Sequence, residues 1–300
     1  MTIRAASLAK PSTFYRAGPW QLGLVAAKNL SPAVASSLMQ QLSRFYWRFN
    51  ARRREVVEQN LLPAANGNRD LAQRLSNELF QQFAIKLVDL WRYESGMALD
   101  ELFLDWTGWD RFVAVRAEGR GVLLLTPHLG NWEFGAPLLA RQGVPLLVIT
   151  LMEPQSRLTQ LRKCSRARWG IETLVIGEDT FAFVEVIRRL EAGATVALLI
   201  DRPPAASSVT VELFGRPFSA SIAAAELARA TGCALLPVYL PRSKTGYSAH
   251  ILSEIRYDRQ VLAKRQGRQH LTQEMMRAFE PVIREHITQW FHFVPIWPKL

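Results

Sequence analysis

One histidine and one glutamate follow an apolar run, in the segment Pro127-His128-Leu129-Gly130-Asn131-Trp132-Glu133. An imidazole has an ordinary pKa of about 6.5, so it can take a proton from a hydroxyl near neutral pH. A carboxylate on the other ring nitrogen fixes the tautomer and stabilises the imidazolium. We therefore predict that His128 is a general base, that Glu133 is its partner, and that the pair activates a lipid or sugar hydroxyl for attack on a thioester.

The elements around this segment place the histidine at the edge of a sheet. Gly121–Thr126 is a short apolar run after a turn-prone Glu-Gly-Arg-Gly, which predicts a buried strand. Asn131 is a good N-cap type for a helix over Trp132–Gln142, and a carboxylate in its first turn suits the helix dipole. Ligands of open α/β sheets bind beyond the carboxyl ends of the strands. His128 is therefore expected where a substrate would bind, and Asn131 is included among the substrate-binding candidates.

The middle of the chain alternates apolar runs with helical periodicity. Near-continuous apolar strands between helices indicate a largely parallel sheet covered on both faces, so the predicted class is α/β with helices flanking a central sheet. Tyr247–Tyr257 alternates polar and apolar residues and is predicted as an edge strand. The other predicted strands are Leu146–Leu151, Glu172–Ile176, Thr195–Ile200, Val209–Phe214 and Ala234–Leu240, and the other predicted helices are Gln155–Trp169, Thr180–Glu191 and Ile222–Ala230.

The two ends of the chain differ from the middle. Residues 1–98 are predicted to be a helical, membrane-associating region, with helices over Leu38–Asn50 and Asn68–Ser95. Residues 99–300 are predicted to be the α/β part, and the whole is expected to form one continuous domain. From Arg268 onward we expect one more helix and then an aromatic tail.

Three more polar residues are candidates for substrate binding. Asp201 and Arg202 follow the predicted strand Thr195–Ile200, so they should reach the same sheet edge as His128. Arg202 could bind phosphate or polarise a thioester carbonyl, and Asp201 could assist His128 or hold Arg202. Arg216, in a Gly-Arg-Pro turn, could hold an acceptor phosphate. A salt-bridged strand end and a plain turn are the structural alternatives.

Composition limits the class of partner and the environment. The chain has 37 Lys and Arg against 26 Asp and Glu, a net charge of +11, which suits an anionic membrane or a nucleic acid, or serves solubility alone. Cys164 and Cys233 show no metal-type spacing, so no zinc site and no disulfide are expected and a reducing compartment fits best. No run reaches the roughly 20 apolar residues that span a bilayer. A cleaved signal peptide is not expected either.

Two further clusters suggest partners. A basic helix region is a candidate docking face for an acidic carrier protein, with a solvated helix face as the alternative: Arg157, Arg162, Lys163, Arg166 and Arg168. Aromatic rings beside arginines in the first fifty residues suit the lipid headgroup zone, with core packing as the alternative: Phe14, Tyr15, Trp20, Phe45, Tyr46, Trp47 and Phe49 with Arg44 and Arg48. His250, His270, His286 and His292 lie outside any motif and are interpreted as structural or exposed.

An ordered set of blocks from Leu99 to Trp297 resembles the late acyltransferases of lipid A biosynthesis, within the lysophospholipid acyltransferase superfamily. The central block is His128–Glu133, which resembles the family's His-x4-Asp/Glu motif. The others are Gly108–Phe112, Gly119–Thr126, Ile200–Arg202, Val211–Pro217, Ala228–Gly232 and Gln289–Phe291.

The resemblance implies a glycerolipid-acyltransferase-like fold and an acyl chain taken from acyl carrier protein or coenzyme A, with no other cofactor and no metal. It implies a lipid or glycolipid acceptor, no nucleic acid, and action at the cytosolic face of the inner membrane. His128 would be the base and Glu133 its orienting partner. Glu133 replaces the Asp usual in glycerolipid acyltransferases, and Phe-Gly-Arg-Pro replaces their acidic-Gly-Thr-Arg block, which favours a glycolipid acceptor. The tail His292–Pro298 is not the basic ending of lipid A enzymes.

Two other functions remain open from the residues alone. A thioesterase would use His128 to activate water instead of a hydroxyl. A nucleic-acid-binding protein would use the positive charge, although the usual nucleic-acid motifs are absent from the sequence.

Overall fold

The computed structural model describes residues 16–151, 156–176, 182–203 and 207–298. Within them, a seven-stranded sheet has the strand order β1-β9-β8-β2-β5-β3-β4. All neighbouring strands of this sheet are parallel except β8 and β9. Its strands are β1 Phe103–Thr107, β2 Val122–Thr126, β3 Leu146–Leu151, β4 Glu172–Ile176, β5 Thr195–Leu199, β8 Ala234–Tyr239 and β9 Tyr247–Ile251; β6 Ser208–Leu213 and β7 Arg216–Ser221 form a separate pair. The predicted α/β class with a largely parallel sheet is confirmed.

Helices cover the sheet and precede it. They are α1 Ala17–Asn29, α2 Pro32–Phe49, α3 Ala51–Leu61, α4 Arg69–Glu94, α5 Trp109–Ala117, α6 Gly135–Arg141, α7 Ser156–Arg168, α8 Ala182–Glu191, α9 Ala223–Thr231 and α10 Arg265–Glu285. The predicted starts of α7 at Gln155 and of α8 at Thr180 lie outside the described residues, as do Phe14 and Tyr15.

The N-terminal helices follow local signals in the sequence. Pro32 has no backbone N–H to continue α1 and instead takes the first position of α2, where Ser31 caps the Val34 amide. Asn68 caps α4 in the same way through the Leu71 amide. Trp20 of α1 and Leu90 of α4 then pack in one buried cluster with Leu138 and Leu240 of the α/β part. No helix within the described residues is long and apolar enough to cross a bilayer.

The two faces of the sheet build different interiors. Leu123 and Leu125 face a core shared with α8, α9 and α10, while Leu124 points to the other face, toward α5 and α6. This alternation follows from the two-residue period of a strand. Each fully buried leucine contributes about 1.5–3 kcal/mol relative to an exposed one, so burial of β2 on both faces fixes its register.

Two strand predictions were wrong. Val209–Phe214 was expected in the main sheet, but β6 pairs antiparallel with β7 in a hairpin whose turn, Phe214-Gly215, has positive φ at both residues. A turn of that kind matches the twist of two antiparallel strands. Tyr247 begins β9, which was expected at the edge; β9 lies between β1 and β8, and β1, not predicted, forms the edge.

Candidate active site

Backbone hydrogen bonds hold the His128 loop beyond the end of β2. Gly130 N–H donates to Gln289 O at 3.0 Å, Asn131 N–H donates to Leu240 O at 2.9 Å, and Phe291 N–H donates to His128 O at 2.8 Å. Gly130 has a φ of 61°, and a Cβ there would overlap the Leu240 carbonyl. Glycine is therefore required for the loop to lie against β8, and the loop in turn fixes where the His128 ring points.

The carboxylate that binds the His128 ring belongs to Asp201. Asp201 lies just beyond β5, the neighbour of β2, and its Oδ1 is 2.6 Å from His128 Nδ1. Its Oδ2 accepts three further hydrogen bonds: from His128 N–H at 2.9 Å, from Trp290 Nε1 at 2.8 Å and from His292 Nε2 at 2.9 Å. Asp201 is 1% exposed, so its charge is compensated by these N–H donors and not by water.

Charge and burial set the protonation of the pair. Burial raises the pKa of Asp201, but the facing His128 and His292 rings and their hydrogen bonds outweigh it and hold the pKa well below its ordinary value. Burial lowers the pKa of His128, and Asp201 only partly offsets this. His128 is therefore neutral near pH 7, with a proton on Nδ1 shared with Asp201. That tautomer leaves Nε2 as the proton acceptor.

Glu133 does not contact His128, and its predicted place beside the ring is corrected here. The residues after Asn131 form a short 3₁₀ turn, Trp132–Phe134, before α6 begins, and the expected side-chain cap by Asn131 is not made. The turn directs Glu133 toward α7, where its carboxylate binds Arg162 and lies 2.9 Å from Arg166 Nη2. Spacing along the chain placed Glu133 near His128, but the side-chain direction of the turn separates them.

The Glu133 cluster is buried and rich in positive charge. Burial raises the pKa of Glu133, but Arg162, Arg166 and Lys86 outweigh it and hold the carboxylate ionised. Burial lowers the pKa of Lys86 well below its ordinary value, and its Nζ lies 2.8 Å from the centre of the Trp132 ring. The Trp132 ring also contacts His128, with 5.1 Å between ring centres. Glu133 thus fixes one wall of the site through α7 and Trp132.

A cavity of about 1690 Å³ opens beside His128. Part of it runs along the face of the sheet that carries Leu124, across six adjacent strands from β3 to β1, or roughly 24 Å at ordinary strand spacing. The rest is lined by α1, α2 and α4, including the exposed side chains Leu22, Leu42 and Phe49. The cavity is therefore mainly apolar, and it connects the His128 ring with an exposed apolar surface.

The remaining predicted site residues divide into two groups. Arg202 is exposed and lines the cavity together with His128 and Glu133. Asn131 is completely buried and is absent from the cavity wall, so its predicted contact with substrate is corrected to a structural position in the loop. Arg216 begins β7 and is exposed, also away from the cavity wall, and its role in holding an acceptor phosphate stays a prediction.

One group of side chains within the described residues brings metal-ligating atoms together: His128, Asp201 and His292, all within 4.8 Å of one another. A zinc ion lies about 2.0–2.2 Å from each of its ligands, which are spread tetrahedrally around it. Separations of 2.6 and 2.9 Å between ring nitrogens and carboxylate oxygens are those of hydrogen bonds. The atoms of this cluster are therefore spaced for hydrogen bonds between the two rings and the carboxylate.

Sequence reasoning missed two site residues, Trp290 and His292. Trp290 was noted only as part of a terminal block, and His292 was set aside as lying outside any motif. The signal was the run Gln289-Trp290-Phe291-His292, in which the donors Trp290 and His292 are two residues apart. In an extended segment, side chains with this spacing point to the same side. Nothing local links that run to Asp201, which is 89 residues away from Trp290.

Comparisons with known proteins identify a family and several relatives of similar sequence. The family model described as bacterial lipid A biosynthesis acyltransferase matches residues 14–299. A phosphatidylinositol mannoside acyltransferase of Mycobacterium tuberculosis (strain CDC 1551 / Oshkosh) is 29% identical over 192 residues, 63% of this chain and 58% of that protein, so the match spans less than two thirds of the relative. A protein of the same name from Mycolicibacterium smegmatis (strain ATCC 700084 / mc(2)155) is 26% identical over 289 residues, 92% of this chain and 90% of that protein.

Solved structures also show similarity to this chain, and one of them is an acyltransferase. The 1-acyl-sn-glycerophosphate (LPA) acyltransferase PlsC from Thermotoga maritima is 14% identical, with a TM-score of 0.39 over 82% of this chain and 97% of that one. A likeness of this extent supports no inference about the site.

Proposed function

This chain belongs to the bacterial lipid A biosynthesis acyltransferase family, and on that premise we propose that it moves a fatty acyl group from a thioester to a hydroxyl of a glycolipid at the membrane surface. One observation carries the proposal. The neutral His128 ring is hydrogen-bonded through Nδ1 to the buried Asp201 and lines a long apolar cavity. We assign His128 as general base and Asp201, in place of Glu133, as its orienting partner.

The chemistry needs no covalent enzyme intermediate. His128 Nε2 takes the proton of the acceptor hydroxyl as its oxygen attacks the thioester carbonyl. The tetrahedral intermediate collapses with cleavage of the C–S bond, and the thiolate receives the proton from Nε2. The products are an ester and a free thiol, and His128 returns to its starting form. Arg202, on the cavity wall, is our candidate for stabilising the developing oxyanion.

The cavity is large enough for more than one acyl chain. Pockets for single small ligands measure about 300–1,000 Å³, and this one exceeds that range. We propose that the part along the sheet holds the acyl chain of the donor, because its wall is apolar and consists of the buried Leu124 and Leu139 and the partly buried Val148 and Ala197. The part between the N-terminal helices would then hold chains of the acceptor.

The exposed apolar face supports the proposed membrane contact. Val34, Leu38, Leu42, Phe45 and Phe49 follow one another at helical spacing along α2, and Phe45 and Phe49 are 63% and 70% exposed. Arg48 and Arg52 are exposed beside them. An apolar stripe with flanking cations suits an anionic bilayer surface. Of the other rings assigned to this zone, Trp20 is buried and packs in the core.

The donor and the acceptor remain proposals of chemical class. On α7, Arg162 and Arg166 face inward to Glu133, while Arg157, Lys163 and Arg168 are exposed and suit an acidic acyl carrier protein, with coenzyme A as the other thioester donor. The relatives are named phosphatidylinositol mannoside acyltransferases, which supports a glycosylated phospholipid as the acceptor. The free cysteines fit the cytosolic face, where such thioesters are available.

A reconstituted assay tests this function. Purified protein is mixed with an acyl thioester and with vesicles that contain or lack a glycolipid, and products are identified by mass spectrometry. We expect a new ester only when the glycolipid is present, and none with His128→Ala. Acyl release that is independent of acceptor would show a thioesterase instead, and full activity of the His128→Ala protein would end the proposal.

A further inference from the structure

The segment from Gln289 to Phe293 passes through the site. Leu129 and Trp290 form an antiparallel bridge, and backbone bonds join the segment to the His128 loop on both sides of this bridge. Trp290 and His292 then point to the same side and reach the same oxygen, Asp201 Oδ2. This distal segment therefore supplies two of the four hydrogen bonds that the carboxylate accepts.

The four hydrogen bonds are divided unevenly between the two carboxylate oxygens of Asp201. Oδ2 accepts from three N–H groups, whereas Oδ1 faces only His128 Nδ1, at the shortest distance of the set, 2.6 Å. Three donors on one oxygen fix the plane of the carboxylate. The second oxygen is thereby held where the imidazole proton needs it.

The protonation of His292 is set by its surroundings. The ring is 2% exposed, and its Nδ1 is buried without a hydrogen-bond partner among the described residues. A proton on Nδ1 would be buried and unmatched, while a proton on Nε2 meets Asp201 Oδ2. The geometry therefore favours donation by His292 through Nε2, whereas His128 donates through Nδ1.

We infer that His292 is a positioning residue for the proposed acyl transfer: by donating from Nε2 it orients Asp201 Oδ1 toward His128 and limits how much of the carboxylate charge His128 experiences. This rests on the proposed function of His128 and Asp201. Besides the two members of the pair, the charged or titratable groups with the largest effect are His292, on both His128 and Asp201, and Arg202, on His128.

Asn60 of α3 holds His292 in place. Its Nδ2 donates to His292 O at 2.9 Å and to Val294 O at 2.8 Å, and Trp297 Nε1 donates to Asn60 O at 3.0 Å. Asn60 is 3% exposed, so these bonds are shielded from water. The segment is thus anchored to the N-terminal helices independently of its contacts with Asp201.

Substitutions of His292 separate positioning from packing. His292→Gln keeps a donor near the position of Nε2, whereas His292→Leu fills the space without a donor. Two indoles of the same segment give a matched pair: Trp290→Phe removes a bond to Asp201, and Trp297→Phe removes a bond to Asn60 only. Each variant is measured for kcat, KM of the donor, thermal unfolding, and the titration of the His128 ring by NMR.

The expected results have a defined sign. Loss of a donor leaves more negative charge for His128, which stabilises its imidazolium and raises its pKa. His292→Leu should therefore move the acidic limb of kcat/KM and the NMR titration to higher pH, and lower kcat roughly 10- to 100-fold with little change in donor KM. Trp290→Phe should act in the same direction, His292→Gln should restore most of the loss, and Trp297→Phe should leave kcat and the titration unchanged.

The two proposals fail separately. Absence of acyl transfer by the unsubstituted protein would reject the proposed function, while the NMR titration would still decide the role of His292. A folded His292→Leu protein with an unshifted His128 titration would overturn the inference. Should His292→Leu not fold, a folded Trp290→Phe protein with an unshifted His128 titration would overturn it equally.

Discussion

Two buried carboxylates flank the His128 loop, and they are compensated in different ways. Asp201 accepts hydrogen bonds from imidazole, indole and backbone N–H groups, none of which carries a permanent charge. Glu133 binds two guanidinium groups, which always carry one. A carboxylate held by neutral donors keeps its charge available to a proton that arrives on His128. A carboxylate neutralised by arginines, in contrast, is a fixed part of the cavity wall. The comparison teaches that the nature of the hydrogen-bond donors, rather than distance along the chain, distinguishes the carboxylate that we propose as the partner of His128.

The largest effect is expected from Asp201→Asn, which removes the charge that stabilises the imidazolium. By analogy with other histidine–aspartate pairs, kcat should fall about 10⁴-fold. Single-turnover acyl transfer measures it. The matched control is Asp89→Asn, because Asp89 is also a buried carboxylate, bound by Tyr247 and Arg242 away from the cavity. Near-normal kcat for Asp201→Asn would erase the distinction between the two carboxylates.

The next effect, on stability, belongs to Glu133→Gln. Removing the charge takes away the carboxylate that Arg162 and Arg166 share, and their side chains are only 7% and 10% exposed. We expect the free energy of unfolding to fall by about 3–5 kcal/mol, measured by urea denaturation. Glu185→Gln, which loses the exposed Arg188 and the partly exposed Arg189 as partners, should show no measurable change. A kinetic defect without loss of stability would move Glu133 into the catalytic pair.

A smaller effect should follow when the whole ion cluster is replaced. A triple variant with Glu133→Leu, Arg162→Met and Arg166→Met removes the buried carboxylate together with its two guanidinium partners, so it should recover most of the stability lost in Glu133→Gln. The same denaturation experiment measures the recovery. A triple variant as unstable as Glu133→Gln would show that the arginines act through more than charge compensation.

The smallest expected effect is a difference in pH dependence. His128 must be neutral to accept a proton, and burial lowers its pKa from 6.5, so kcat/KM should fall only as the pH drops below that value. The charge of Glu133 is compensated by Arg162 and Arg166, so Glu133→Gln should leave the midpoint of this limb in place. A pH profile of kcat/KM for both proteins provides the measurement, and a displaced midpoint in the variant would contradict the separation of the two carboxylates.

Much of the architecture follows from local patterns. The apolar runs of β2, β3, β5 and β8 are long enough to be buried on both faces, and the helices between them carry the 3.6-residue period. The position of His128 and of Asp201 at carboxyl strand ends could be predicted from the same runs. The hairpin of β6 and β7 could not be predicted in this way. A short apolar strand has the same sequence pattern in a parallel sheet and in a hairpin, and only its partner strand distinguishes the two.

The pairing within the site depends on facts that the sequence does not carry. Asp201 meets His128 because β5 lies next to β2, and strand order is set by packing of the whole sheet. Glu133 turns away because of a single 3₁₀ turn, whose side-chain direction differs from that of an α-helix. His292 reaches the site across 91 residues from Asp201. Each of these is a tertiary result with no local signature.

The path of residues 289–293 through the site bears on how the protein is made. A nascent chain that has not yet reached Trp290 has the histidine, the aspartate and the strands that carry them, but only half of the donors that Asp201 uses. The hydrogen bonds to Asp201 are therefore complete only after the distal segment has left the ribosome and docked on α3.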